Sequence, residues 1–415
     1  MKKLITVMVL FLSFVVPAHA NTFDIQEEIN ALGPSGGVVT IPPGEYLITV
    51  PITITKPNVI LQGSGKSTVL INATNSQNTI VVYGSESTST NIQNDLIPGG
   101  GIDNQYPVLN VTSSVGFQVN DNVKIVQSGT STKFSYNIVK EVTGNKIVLK
   151  DNILESYQSA KLVKVNLLPD VTIKDMKIKS GDGIVGWAIY AHHTKNFTIE
   201  HVNFSKVGRN PIYVEQSYSP LITRNILFEN GRAGYGDFSI GSLENFNAEI
   251  SYNEITRSGA IYTRNNMFSK VIRNMSNGTG PTNADGISVV GGIGNRYEYN
   301  SILRANCYGI WLKDGAERNV ISNNTFSSGI TSGIYLTTAK NNIIENNVLT
   351  YNNGNGIFLE FGATGNIIRE NIVRTNYSRG ILVHDVNNII DSNLSSENTM
   401  ENYKFEPGNI VKNND

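Results

Sequence analysis

"NVISNNTFSSGITSGIYL" (residues 319–336), "NNIIENNVLTYNNGNGIFL" (341–359), "GNIIRENIVRTNYSRGILV" (365–383) and "NNIIDSNLSS" (387–396) are four successive variations on one unit. Asn324, Asn347, Asn371 and Asn393 hold the same place in each, at spacings of 23, 24 and 22. A second register follows the apolar residue of the Gly-Ile step further upstream: Ile189, Ile212, Phe238, Ile261, Ile287, Ile310, Ile334, Ile357 and Ile381, at spacings of 23, 26, 23, 26, 23, 24, 23 and 24. A leucine-rich repeat of similar period carries L-x-x-L-x-L, which is absent, and helical repeats need longer segments with a 3.6-residue period. Each unit instead offers short strands separated by Asn, Gly and Ser turns. A short strand cannot bury its face alone, so successive turns of chain stack and share one core. The period therefore predicts an all-β, single-stranded parallel β-helix. The four asparagines are expected to stack inside it, each amide bonding to backbone at a bend of its own and neighbouring coils.

The pattern weakens towards the N-terminus. "PNVILQGSG" (57–65) and "PDVTIKDMKIKSGDG" (169–183) read as coil strands, whereas residues 84–106 read as a loop. Residues 107–168 alternate as antiparallel β-structure with a hairpin turn at "TGN" (143–145). Asp24, three residues before Glu27, predicts an N-capped short helix with Ile25, Ile29 and Leu32 on one face. Such a helix would cover the open end of the coil stack. The expected organisation is a signal peptide at 1–20, a cap and first coils at 21–83, a loop and β-rich excursion at 84–168, and the repeat region at 169–415.

Lys2 and Lys3 before an apolar run from Leu4 to Val16, followed by Pro17-Ala18-His19-Ala20, have the form of a secretory signal cleaved before Asn21. The run is shorter than the ~20 apolar residues of a membrane span, so stable membrane insertion is not expected. The expected location is the periplasm or the extracellular space. The 415 residues carry 33 Lys and Arg against 34 Asp and Glu, which argues against a nucleic-acid partner. A single cysteine, Cys307, excludes an internal disulfide and any multi-cysteine metal site; no activating base accompanies it, so it reads as inert.

"FDIQEEINALGPSGGVVTIPPGEYLI" (23–48) resembles the N-terminal cap segment of the pectate-lyase-like superfamily, whose members are right-handed parallel β-helices. Residues 186–393 resemble its carbohydrate-active repeat module, also found in NosD-type proteins, and "VGFQVNDNVKIV" (115–126) is similar to an excursion in several members. The resemblance implies the fold and a carbohydrate partner. It does not select a chemistry, because the superfamily holds lyases, glycosidases, epimerases, esterases and non-catalytic proteins. The epimerase D-P-H-E string is absent. "NADGISV" (283–289) is similar to the N-x-D-G segment of polygalacturonase-type hydrolases and would place Asp285 in the acid or base region, but the companion Asp-Asp and Gly-His-Gly signals are missing. The resemblance also leaves room for Ca2+, held by Asp and Glu oxygens, and for either a monomer or a β-helix homotrimer.

If the ladder residues point inward, the positions one and three further on point outward. The first of these rows reads Tyr190, Tyr213, Ser239, Tyr262, Ser288, Trp311, Tyr335, Phe358 and Leu382; the second contains His192, Glu215, Gly241, Arg264, Val290 and Lys313. So many aromatics in one row suggest flat faces for pyranose stacking, with Tyr190, Tyr213, Tyr262, Trp311, Tyr335 and Lys313 as substrate-binding candidates. Coils ~4.8 Å apart give a groove roughly 40 Å long.

His192, Glu215 and Arg264 are the leading catalytic candidates, with Arg264 expected across Gly241 from Glu215. Arg264 would hold a uronate carboxylate while His192 or Tyr213 removes the C5 proton, so that β-elimination follows. The alternative mechanism is inverting hydrolysis by Asp237, Asp285 and Glu215, which requires carboxylates ~6.5–9.5 Å apart; a C5-epimerase and a non-catalytic carbohydrate-binding protein are the other readings. His193 and His201 do not converge with His192 on a transition-metal site, because His193 is expected to face the other way and His201 lies in the next strand.

Overall fold

The computed structural model describes residues 23–75, 77–98, 106–129, 134–181, 186–231, 237–278 and 284–415. The expected signal segment 1–20, Asp182 of the quoted "SGDG" and Asn283 of "NADG" lie outside the described residues. The chain winds as a right-handed β-helix whose coils contribute to three parallel sheets. The first sheet holds thirteen strands, from Gly37–Thr40 to Ile410–Lys412. The second holds twelve, from Gly44–Ile48 to Leu394–Ser396, and the third holds twelve, from Ile52–Ile54 to Tyr403–Phe405.

Strands of three to six residues suffice in most coils because each hydrogen-bonds to the coils on either side, and alternate side chains enter one continuous core. Ile189, Ile212, Ile261, Ile287, Ile310, Ile334, Ile357 and Ile381 form a fully buried row of that core. One member of the expected row is different. Ile212 pairs with Ile240 rather than Phe238, and Ile240 pairs with Ile261 after a bulge. The row therefore runs through position 240, and the outward position after the ladder residue is Gly241, not Ser239.

The asparagine ladder is present and longer than the four quoted units. Asn347 Nδ2 donates to Asn371 Oδ1 at 3.0 Å and to the carbonyl of Ile321 at 2.9 Å, while Asn347 Oδ1 accepts from the backbone N–H of Asn324 at 3.0 Å. The same pattern runs back through Asn300, Asn274, Asn253 and Asn225. A parallel ladder joins Asn295, Asn319, Asn342, Asn366 and Asn388. The residue before each first-ladder asparagine, such as Asn346, Glu370 or Tyr299, has φ near +56°. That conformation costs a non-glycine residue roughly 1–2 kcal/mol, and the buried amide network offsets it at every bend.

The capping helix, Ile25–Ala31, starts where Asp24 Oδ1 accepts from the backbone N–H groups of Gln26 and Glu27 at 2.8 and 3.0 Å. Ile25 and Ile29 are buried against the first coil. Lys56 Nζ closes the other end by donating to the carbonyls of Asn30 and Leu32 at 2.7 and 2.6 Å.

The excursion is a six-stranded antiparallel sheet with its own core around Leu109, Val123, Ile125, Ile147 and Leu162. The hairpin turn falls at Gly144-Asn145, between paired Thr143 and Lys146. The segment read as a loop is structured over Ser85–Asn91, a strand that pairs antiparallel with Ala160–Asn166. Its "SESTSTN" run has no apolar alternation to announce a strand.

Candidate functional site

Tyr190, Tyr213, Tyr262, Trp311 and Tyr335 share one row of the third sheet, as strand register requires. Gly241 occupies the row between Tyr213 and Tyr262, and the ring of Phe238 lies over it: a Cβ on Gly241 would meet Phe238 Cε2 at 2.3 Å. The row is therefore continuous in rings although not in sequence position. Its rings stack on one another along the coil axis. Trp187 and Tyr213 are 4.3 Å apart at 4°, Tyr213 and Phe238 5.9 Å at 29°, and Phe238 and Tyr262 4.8 Å at 12°. Beyond Ser288 a second stack runs through Tyr308, Tyr335 and Phe358 at 4.3 and 5.2 Å. Neighbouring rings thus use the faces that were expected to stack sugars. Tyr335 is buried and donates to Glu360, and the ammonium of Lys313 sits 3.4 Å over Trp311.

His192 and Glu215 pair directly between neighbouring strands. Tyr190 OH donates to Glu215 Oε1 at 2.5 Å, and the His192 ring stacks on Tyr83 at 5.5 Å. Burial lowers the pKa of His192 from its ordinary value, which keeps the imidazole neutral. Burial first, then the neighbouring Glu215 charge, pushes the Tyr213 phenol up to about 12. Burial first, then the hydrogen bond to Glu215, raises the Tyr190 phenol further.

Leu243, not Gly241, separates Glu215 from Arg264 in this row. Arg264 Nη2 is 3.3 Å from Glu244 Oε1, and that carboxylate is buried. Arg264 is thus tied to a protein carboxylate before any substrate arrives. Burial raises the Glu244 pKa, with Gln216 and Arg264 opposing the shift.

The excursion supplies groups that no repeat announced. Lys124 pairs with Glu86 and donates to Gln216 Oε1 at 3.1 Å, and His193 Nε2 lies 3.2 Å from Glu86 Oε1. Gln216 Nε2 donates in turn to Glu244 Oε2 at 2.8 Å, and Tyr136 OH donates to the Gln216 carbonyl. A charged network, buried at Lys124, His193 and Glu244 and partly exposed at Glu86, therefore walls the His192–Glu215 end of the row. Glu86 escaped the sequence reading because it stands in the segment taken as a loop. Glu244 escaped it because it follows the bulged coil.

Asp237 and Asp285 lie on the opposite edge of the sheet, before the ladder residues, and both are buried. Asp237 pairs with Arg209 at 3.8 Å. Asp285 accepts from the backbone N–H of Tyr308 at 3.3 Å, and burial raises its pKa. Burial also raises the Cys307 thiol, to about 11, so this sulfur has little thiolate character. Among the described residues, no group of three or more His, Cys, Asp or Glu side chains converges as a metal site, so the calcium expectation gains no donor set.

Two family models match the chain: a right-handed β-helix region over residues 187–329 and 259–415, and a pectate-lyase-like rhamnogalacturonase A/epimerase model over 18–236. The chain belongs to the pectate-lyase-like right-handed β-helix family. Solved structures similar to this β-helix protein include the tailspike of Pseudomonas phage phi297, with a TM-score of 0.70 and 14% identity, covering 94% of this chain and 72% of that one. A tailspike of Acinetobacter baumannii bacteriophage AP22, in complex with capsular saccharide, gives 0.57 and 12%, covering 90% and 69%. The A-module of an Azotobacter vinelandii mannuronan C-5 epimerase gives 0.51 and 15%, covering 94% and 93%. At these identities the likeness is one of fold. No curated protein matches this β-helix protein.

Proposed function

We propose that this β-helix protein is an exported enzyme acting on an acidic, uronate-containing polysaccharide, and that its first chemical step is removal of the proton at C5 of a uronate. The observation that carries this reading is the Tyr190–His192–Glu215 cluster, where a neutral imidazole adjoins a carboxylate that already accepts from a tyrosine. Family membership supports it, as do two fold neighbours, a tailspike in complex with capsular saccharide and a mannuronan C-5 epimerase. His192 accepts the C5 proton. The electron pair left at C5 delocalises into the uronate carboxylate, where the cations Lys124 and Arg264 bordering the site favour the added charge. In β-elimination that pair then forms the C4–C5 double bond as the C4–O4 bond breaks. Tyr213, protonated at neutral pH, donates a proton to the departing oxygen. Return of a proton to C5 from the opposite face would give epimerisation instead.

Hydrolysis by Asp285 and Glu215 is not supported. Strand register sets them three coils and five strand positions apart, roughly 20 Å, well beyond the ~6.5–9.5 Å of an inverting pair.

Incubation of the purified protein with pectate, alginate and glycosaminoglycans, with and without Ca2+, separates these chemistries. Elimination produces absorbance near 235 nm together with reducing ends, hydrolysis produces reducing ends alone, and epimerisation changes the proton NMR spectrum without cleavage. His192→Ala should lower kcat/KM by about 10²-fold or more. Burial depresses the folded-state pKa of His192 below its ordinary 6.5, so the neutral base persists into mildly acidic solution and the acid limb of kcat/KM should lie below pH 6.5. Near-wild-type turnover by His192→Ala removes His192 from the reaction. Sequencing of the secreted protein should begin at Asn21.

A further inference from the structure

The ring row ends abruptly at Trp187 and Tyr190. In the preceding coils its positions are taken by Val81, which pairs with Tyr190, and by Thr53, which pairs with Val81. Loss of ring bulk leaves a depression of about 430 Å³, within the range of small-ligand sites, lined by Val81, Pro51, Gln77, Asn78, Trp187 and Arg209. Tyr213 covers one face of the Trp187 indole at 4.3 Å. The lining comes largely from earlier coils and does not include Tyr213.

Three further features mark this place. The Arg209 guanidinium lies 5.6 Å from the Trp187 ring centre and is the only charged group in the described lining. Asp237, 3.8 Å from Arg209 Nε, steadies it while leaving its side chain about half exposed (47%). Trp187 Nε1 is buried and has no hydrogen-bond partner among the described residues, an unusual cost for an indole N–H. The backbone around the depression is held closely: Thr79 N donates to the Trp187 carbonyl at 3.0 Å, and a Cβ on Gly186 would meet the Gln77 carbonyl oxygen at 1.7 Å.

We propose that this depression is a binding subsite for one carboxylate-bearing sugar of an acidic glycan, its ring against Trp187 and its carboxylate on Arg209. A planar guanidinium matches a carboxylate with two parallel N–H···O bonds, and a flat indole offers apolar area to the C–H face of a pyranose. Gln77 and Asn78 provide donors and acceptors for hydroxyls. The inference rests on the acidic-glycan reading but uses none of the proposed proton-transfer groups. It lies next to them: the Trp187 ring is 5.1 Å from that of Tyr190, whose hydroxyl bonds Glu215. A glycan anchored here would place a neighbouring sugar over the cluster.

The chain has two tryptophans, so full-length protein carrying Trp311→Phe reports Trp187 alone by fluorescence. It would be titrated with oligogalacturonate, oligomannuronate, oligoguluronate and hyaluronan tetrasaccharide, and with cellotetraose and sulfated dextran oligosaccharide as neutral and sulfated probes. At least one carboxylated probe should shift Trp187 emission saturably, cellotetraose should not, and adding Arg209→Ala should weaken binding at least tenfold, or ~1.4 kcal/mol, with unchanged circular dichroism. The proposal is overturned if no carboxylated probe moves the signal, if Arg209→Ala leaves the affinity intact, or if only the sulfated probe binds. His192-dependent turnover with a silent Trp187 would leave the catalytic reading standing without this subsite. An Arg209-dependent signal with no turnover would do the reverse.

Discussion

Phe238 and Gly241 act as one residue of the aromatic row. The phenylalanine provides the ring and the glycine provides the room, because any side chain at 241 occupies the space of Phe238 Cε2. Gly241→Ala should therefore push the ring out of its stack between Tyr213 and Tyr262 and destabilise the coil by about 1–3 kcal/mol, the usual cost of overpacking. The check is a double-mutant cycle in urea with Phe238→Ala: once the ring is gone, Gly241→Ala should cost little. Equal costs in both backgrounds would mean that the glycine serves its backbone and not the ring. Alternation could not reveal this pairing, since Phe238 and Ile240 are both apolar and, two positions apart, would share one side of a regular strand, a rule that the bulge between them breaks. Counted from Ile212, Phe238 at 26 residues even fits the repeat better than Ile240, the true partner, at 28.

At the scale of elements, the excursion is fastened to the β-helix by charge as much as by apolar contact. Phe134, Tyr136 and Val165 pack near Phe246, and Lys124 joins Glu86 on its own sheet to Gln216, in the bend after the third-sheet strand Ile212–Glu215. Lys124 is buried, while Glu86 is partly exposed and so screened by solvent. Lys124→Ala leaves Gln216, Glu86 and His193 without their shared cation. We expect faster amide exchange over Ser85–Asn91 and Ala160–Asn166, with exchange in the coils C-terminal to Asn300 unchanged. Uniform acceleration along the whole chain would show that the excursion and the helix unfold as one unit. None of this docking was legible in the sequence. The excursion's hairpin announced itself through local alternation and turn residues, but contacts between partners as distant along the chain as Lys124 and Gln216 have no period to betray them.

For the whole molecule, the stacked coils create an end problem that the N-terminal helix solves. Ile25 and Ile29 cover the first coil, each contributing roughly 1.5–3 kcal/mol of apolar burial. Replacing both by Asp should expose that end and lower the thermal midpoint. It should also produce concentration-dependent association in light scattering, because an open stack presents unpaired strands and apolar residues. A double variant that remains monodisperse at the same concentrations would deny the helix its blocking role.

The amino-acid order alone determined the winding: a short and nearly constant period, asparagines at the bends and isoleucines on one side leave few ways to bury apolar groups other than by stacking coils. It also determined that the tyrosines, His192 and Glu215 share one outward face, since strand alternation and a constant period are local properties. Only the tertiary structure decided how those groups are used. Rings in successive coils turn their faces to each other because the strand spacing nearly equals the stacking distance. Arg264 turns to the buried Glu244, and the excursion closes one side with Glu86 and Lys124. Side-chain direction and long-range docking depend on what each group meets across the fold, and spacing along the chain does not encode that.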